Sequence, residues 1–177
     1  KQLRMRIMAC HRLIGDPWPP LDDAHIIPAC IDHLSEQWSA GVAFSQLDLS
    51  EALNALLPWP LNMDLEQEAP QQITIPTGAH RSVKWDEDGA YVRLRVQEAF
   101  GWTDTPHFVR GRLPLRIELT DPAGRPVAIT SDLASFWEGP YQQVRSQLRG
   151  RYPKHHWPED PFSVAPTSRT KRHSTHS

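Results

Sequence analysis

Apolar residues recur every three or four positions through the first third of this chain and every second position from residue 71 onward. A side-chain period near 3.6 suits a helix and a period of 2 suits a strand. This change of period constrains the fold most, because a segment patterned for one element cannot bury its apolar face as the other. Helices come first, strands follow, and a helical stripe returns before the end. The order predicts an α+β chain: N-terminal short helices, then a mostly antiparallel β-sheet covered by a C-terminal helix and a proline-rich extended strap.

In the helical part, Leu3, Ile7, Cys10 and Ile14 share one face, and Gly15-Asp16-Pro17 stops the run. A second helix starts at Asp22 or Asp23, with Ile27, Cys30, Ile31 and Leu34 on one side and Pro28 in its early turns. For the third, Asp48 and Glu51 have capping-box spacing, Leu49, Ala52, Leu53, Leu56 and Leu57 form the apolar face, and Pro58-Trp59-Pro60 ends it. The 17 prolines are roughly twice the usual share of about 5%. Short elements and many ordered turns follow from that.

In the strand part, residues 72–76, 81–85 and 91–96 alternate apolar and polar side chains, with a turn around Gly78 joining the first pair. Leu113, Leu115, Ile117 and Leu119 share a face, Asp121-Pro122-Ala123-Gly124 makes a turn, and Val127 and Ile129 return on the partner strand. Ser131 or Asp132 then caps a helix carrying Leu133, Phe136 and Trp137. Gly139-Pro140 interrupts it before Tyr141, Val144 and Leu148 resume the stripe. Residues 150–161, GRYPKHHWPEDP, are too broken by proline for a helix and too rich in rings for a solvated linker. The division expected is a helical segment over 1–70, an α+β domain over 71–161 and a disordered basic tail over 162–177.

The formal net charge of -2 hides an uneven split: residues 1–140 hold 12 Lys and Arg against 19 Asp and Glu, while residues 141–177 hold 7 against 2. A basic end of this kind is a footprint for a polyanion, and it is also a common solubilising tail. Two cysteines, Cys10 and Cys30, make no disulfide framework and fit a reducing compartment. No apolar run approaches the roughly 20 residues that span a bilayer. The expectation is a soluble, cytoplasmic chain with no membrane partner. KQLRMRIMACHRLIG is helical from its opening position, which predicts a piece of a longer polypeptide.

The sequence contains no phosphate loop, no G-x-S-x-G elbow, no H-E-x-x-H and no C-x-x-C pair. The carboxylates of WDEDG (85–89) read as a polar turn instead of an acid/base pair. Cys30 and His33 have ligand spacing but lack a second half, so no zinc site is expected, and His155 and His156, adjacent in extended chain, point to opposite sides. No catalytic residue and no metal ligand is expected. What remains is a basic constellation. Arg145 and Arg149 lie four apart on one helical face, with Arg151, Lys154, His155 and Trp157 just beyond. These six are the candidates for nucleic-acid binding, with Tyr152 or Trp157 as a plate for an unpaired base. The alternative is that Tyr152, Trp157 and the prolines clamp the strap to the protein's own sheet while the cations snorkel outward.

The C-terminal half resembles the C-terminal region of HrpB-type bacterial ATP-dependent helicases of the DEAH-box class. The matching phrases are IPTGAHR (75–81), VQEAFG (96–101), GRLPLRIELTDPAGRPVAITSDLASFWEGPY (111–141), LRGRYPKHHWPEDP (148–161) and APTSRTK (165–171). On these phrases the resemblance singles out Gly78, Arg125, Pro126, Asp132, Phe136, Trp137, Tyr141, Tyr152 and Pro153 as structural positions of the family. It implies a parent that is an RNA-stimulated NTP hydrolase using ATP and Mg2+, with its RecA-like, winged-helix, helical-bundle and OB-like parts before Lys1. No cofactor is implied in this chain. The expected role is a C-terminal accessory domain that docks on the helicase core of the same polypeptide or modulates its path for single-stranded RNA. The rivals are a stand-alone nucleic-acid-binding module and a protein-docking module.

Overall fold

The computed structural model describes residues 1–43, 46, 49–57 and 59–168. In chain order the elements are α1 (Gln2–Ile14), α2 (Asp23–Ser39), α3 (Leu49–Ala55), α4 (Leu61–Glu68), β1 (Gln72–Thr74), β2 (His80–Ser82), β3 (Lys84–Asp86), β4 (Gly89–Arg95), β5 (His107–Phe108), β6 (Leu113–Pro114), β7 (Arg116–Thr120), β8 (Pro126–Thr130), α5 (Leu133–Glu138) and α6 (Tyr141–Arg151). Two compact units are interleaved in sequence. The first takes Lys1–Gln71, Lys84–Ala90 and Phe108–Leu113, and the second Gln72–Val83, Tyr91–His107 and the chain from Pro114 onward.

In the first unit α1 buries Ile7 and Cys10, as their spacing requires. It ends at Gly15, whose φ of 80° suits a residue without Cβ and whose N–H bonds His11 O at 2.9 Å. Burial pushes the Cys10 thiol up to about 12, which keeps it protonated and inert. Asp22 caps α2, its carboxylate accepting from the His25 N–H at 3.0 Å. The face that α2 buries is narrower than expected: Cys30 is buried, but Ile27 and Ile31 are 54% and 55% exposed. The cause is length, since α3, which packs on α2, has 7 residues against 17. Asp48 and Pro58, expected to bound the third helix, lie outside the described residues.

Residues 61–68 carried no helix expectation, yet they form α4, with Pro60 at its N-cap, where a missing N–H costs nothing. Leu61 and Leu65 are its buried contacts. Beneath it sits Arg6, 3% exposed, which donates to the carbonyls of Ala69 and Leu65 and to the Glu66 carboxylate. β3 is joined to α1 through one side chain. The Gln2 amide donates to Trp85 O at 3.0 Å and accepts from Trp85 N–H at 2.8 Å, while the Trp85 indole donates to Pro70 O at 3.0 Å.

Residues 81–85, expected as one strand, therefore split at Val83, because the Trp85 backbone pairs with Gln2 instead of continuing the β2 ladder. After β3 the carboxylates form the polar turn expected, Asp86 accepting from the Asp88 N–H at 3.0 Å. Gly89 follows with φ 118°, where a Cβ would stand 2.9 Å from Leu113 Cδ1. Gly89→Ala is expected to cost about 2 kcal/mol, strain plus overpacking. Gly78→Ala, at φ 81° with nothing within 4 Å, should cost about 1 kcal/mol from strain alone. Urea midpoints of the two variants measure the difference.

In the second unit β1 and β2 pair antiparallel around the Gly78 turn. The strand β4 pairs parallel with β7, which pairs antiparallel with β8. The class is α+β as expected, with a mixed sheet, because the long connection from Arg95 to Arg116 permits the crossover a parallel pair needs. Ile117 and Leu119 are fully buried, but Val127 and Ile129 do not join them, and Ile129 is 70% exposed. A bulge between Leu119 and Thr120 shifts the register by one, so Ala128 and Thr130 stand opposite Leu119 and Ile117. A one-residue slip moves every side chain to the other face. Of the two cap residues expected, Asp132 caps α5, its carboxylate accepting from the Ser135 N–H at 3.1 Å. Phe100, Phe136, Trp137 and Tyr141 then pack at tilted and edge-to-face angles in a buried cluster, with Phe136 and Trp137 centroids 5.0 Å apart.

Candidate nucleic-acid interface

The helix α6 buries Tyr141, Val144 and Leu148, so the positions between them face outward or toward the segment that follows. Gly150 and Arg151 still belong to the helix, and Tyr152 N–H closes it on Leu148 O at 2.7 Å. Pro153 cannot continue it. The strap then turns back instead of running fully extended: His155 N–H and the Trp157 indole N–H both reach Tyr152 O, at 3.1 and 2.9 Å.

With three prolines the strap is short of N–H donors and cannot form a ladder, so it is tied down through its carbonyls. The Tyr141 hydroxyl donates to Pro158 O at 2.8 Å, Arg145 Nε to Trp157 O at 3.0 Å, the Gln142 amide to Glu159 O at 3.0 Å and Gly101 N–H to Pro161 O at 2.9 Å. Burial pushes the Tyr141 hydroxyl above its ordinary range, so it remains a donor. Beyond the strap, Thr167 N–H bonds Gln97 O at 2.9 Å. Residues 169–177, the most basic stretch of the expected tail, lie outside the described residues.

The six candidate residues divide by what they touch. Trp157 is 5% exposed and its indole is bonded within the strap. The Arg145 side chain, 13% exposed, holds Trp157 O and lies 3.3 Å from the Glu159 carboxylate. His155 is half-buried with Nδ1 2.8 Å from the Gln97 amide nitrogen. Burial and then the Arg95 charge push its pKa below the usual histidine value, so the ring is neutral at pH 7. Arg151 is mostly exposed and 4.0 Å from Asp121. Arg149 and Lys154 are exposed with no ion-pair partner among the described residues.

The residue that sequence reasoning missed is Asp121. Read only as the first position of a turn, it is 0% exposed. It accepts from Ala123 N–H and Arg125 N–H, both at 2.9 Å, and from the Tyr152 hydroxyl at 2.7 Å. Burial works to raise its pKa, but the Tyr152 hydroxyl and the Arg125 and Ala123 amides together hold it below the ordinary value. Asp121 thus links the β7–β8 turn to the start of the strap. A carboxylate followed two and four positions later by turn amides signals an Asx turn, but nothing local announces a tyrosine 31 positions away. Of the remaining positions that the resemblance singles out, Arg125 sits in that turn, Pro126 opens β8 and Pro153 lies exposed where α6 ends.

The family described as ATP-dependent helicase C-terminal matches residues 31–161. The ATP-dependent RNA helicase HrpB of Escherichia coli K12 is 38% identical over 180 residues, covering 98% of this chain and 22% of the helicase. A crystal structure of the E. coli DExH-box NTPase HrpB superposes with a TM-score of 0.83 at 38% identity, over 96% of this chain and 22% of that one. A second, of the Escherichia coli DEAH/RHA helicase HrpB, gives 0.68 at 35% over 88% and 20%. The chain spans about a fifth of the length of these relatives. It belongs, on these matches, to the ATP-dependent helicase C-terminal family, and resembles HrpB along nearly its whole length.

Proposed function

We propose that this chain is the C-terminal accessory part of an ATP-dependent RNA helicase of the HrpB type, docking on the helicase core or modulating its path for single-stranded RNA. The observation that carries the reading is proportion: 98% of this chain aligns to 22% of a protein described as an ATP-dependent RNA helicase. The residues present do not fit a magnesium-bound nucleotide. The sequence contains no phosphate loop, and no three His, Cys, Asp or Glu side chains among the described residues converge as a metal site. In this reading ATP and Mg2+ are bound by other parts of the longer polypeptide, and this part contributes binding and position. The cytoplasm is the proposed compartment, in keeping with two free, buried cysteines. No described helix is long and apolar enough to cross a membrane.

The test compares the full-length protein with a version lacking these 177 residues in an RNA-stimulated ATPase assay. The RNA concentration giving half-maximal stimulation is expected to shift by about fivefold or more, the lower range of coupling between distinct sites. The isolated chain should hydrolyse no ATP. An unchanged RNA response in the shortened, soluble protein removes the modulatory role.

A further inference from the structure

We infer that the hollow between the last turns of α6 and the strap is a phosphomonoester pocket of nucleotide size. Its volume is about 440 Å³, and Arg145, Arg149, Pro153, His155, His156 and Glu159 line it with Trp157. That volume falls within the range of small-ligand sites. Two arginines four residues apart on one helical face line the same hollow, and guanidinium is the side chain best shaped for phosphate oxygens.

An anion already occupies part of the position a phosphoryl group would take. The Glu159 carboxylate stands 3.3 Å from Arg145 Nη2, on a side chain that is 85% exposed. The bond is long and its acceptor exposed to solvent, so it is a weak competitor. A phosphomonoester carries about -1.5 to -2 at pH 7 with three acceptor oxygens, whereas an internal phosphodiester carries a single charge, no more than Glu159. The pocket therefore favours a chain end or a mononucleotide over the middle of a strand. Arg145 has committed two of its N–H donors, to Trp157 O and Glu159, out of the five a guanidinium offers. Arg149 has no ion-pair partner among the described residues. The Gln97 amide engages His155 Nδ1 at 2.8 Å, so Nε2 is the ring nitrogen that this contact leaves over. Pro153 and Trp157 supply what apolar lining the hollow has.

For the polymer that bears the phosphate this inference rests on the RNA reading above; for the pocket itself it does not. The experiment titrates the 177-residue chain with a short 3′-labelled oligouridylate bearing either a 5′-phosphate or a 5′-hydroxyl, followed by anisotropy. Adenosine 5′-monophosphate and inorganic phosphate serve as competitors. The phosphorylated end should bind about tenfold tighter, the gain of a charge-assisted arginine–phosphate contact. Arg149→Ala should abolish the difference, and Glu159→Gln should widen it by about threefold by releasing Arg145. Both positions are exposed, so neither variant threatens folding. Full competition by the mononucleotide identifies a free nucleotide as the ligand, and failure of the mononucleotide to compete with the phosphorylated oligomer identifies an RNA end. Equal affinity for the two ends, or a difference that survives Arg149→Ala, overturns the pocket. Phosphate discrimination lost while removal of the chain still alters the ATPase sinks the pocket alone; the converse pattern sinks the accessory role alone.

Discussion

Asp121→Ala is expected to lower the unfolding free energy by about 3 kcal/mol, because one buried carboxylate accepts from two turn amides and a tyrosine hydroxyl. Without it the Ala123 and Arg125 amides and the Tyr152 hydroxyl lose their acceptor, and the turn loses its link to the strap. Asp121→Asn keeps one carbonyl oxygen and should cost less. Because the folded-state pKa lies below its unfolded value, the stabilisation is complete above the unfolded pKa of about 3.9 and fades as pH falls through the folded value. Urea unfolding followed by tryptophan fluorescence should thus show the wild-type advantage over Asp121→Ala unchanged from pH 7 to about 5 and shrinking below about 4. An advantage that grows on acidification contradicts the assignment.

The second large effect is at Arg6. Replacing it with leucine should cost about 3 kcal/mol, in the range for breaking a buried ionic arrangement by removing one partner. The decisive part is the helix end and not the ion pair. The Glu66 side chain is 55% exposed, so water can take over its solvation, and a pair of that kind contributes at most about 1 kcal/mol. The carbonyl of Ala69, at the C-terminal end of α4, has no such recourse, since Ala69 is 0% exposed, whereas Leu65 O also accepts from the Ala69 N–H at 2.8 Å. Glu66→Gln is accordingly expected to change stability by less than about 1 kcal/mol. Equal losses in Arg6→Leu and Glu66→Gln, measured by denaturant midpoints, would show that the pair matters and the helix cap does not.

Arg6 also marks what local pattern can express. A cation inside the apolar face of α1 reads as a solvated position, because its partners are about sixty residues downstream in a helix that the sequence itself disguises. That helix, α4, follows a proline and carries only two buried leucines, too few for a periodic signal. The strap shows the complementary case. Its composition announced something rigid that lies against the protein, and the four carbonyl contacts from Tyr141, Arg145, Gln142 and Gly101 supply the physical form. The basic constellation was legible as a set, but its roles were not. Arg145 is spent largely on Trp157 and Glu159, whereas His156, set aside on sequence spacing, lines the pocket with Arg149.

Sequence alone determined the class of each long periodic element, the starts of α2 and α5 to within one residue, the turn at Asp121 and, through its long phrases, the family. These depend on neighbours within a few positions, where propensity and period act directly. Only the tertiary structure decided the parallel pairing of β4 with β7, the bulge that turned Ile129 to solvent, the burial of Arg6 and the convergence of α6 with the strap into a pocket. Each of those is a choice among distant partners whose local signals are equally good, and it is settled by which arrangement leaves the fewest buried polar groups without a partner.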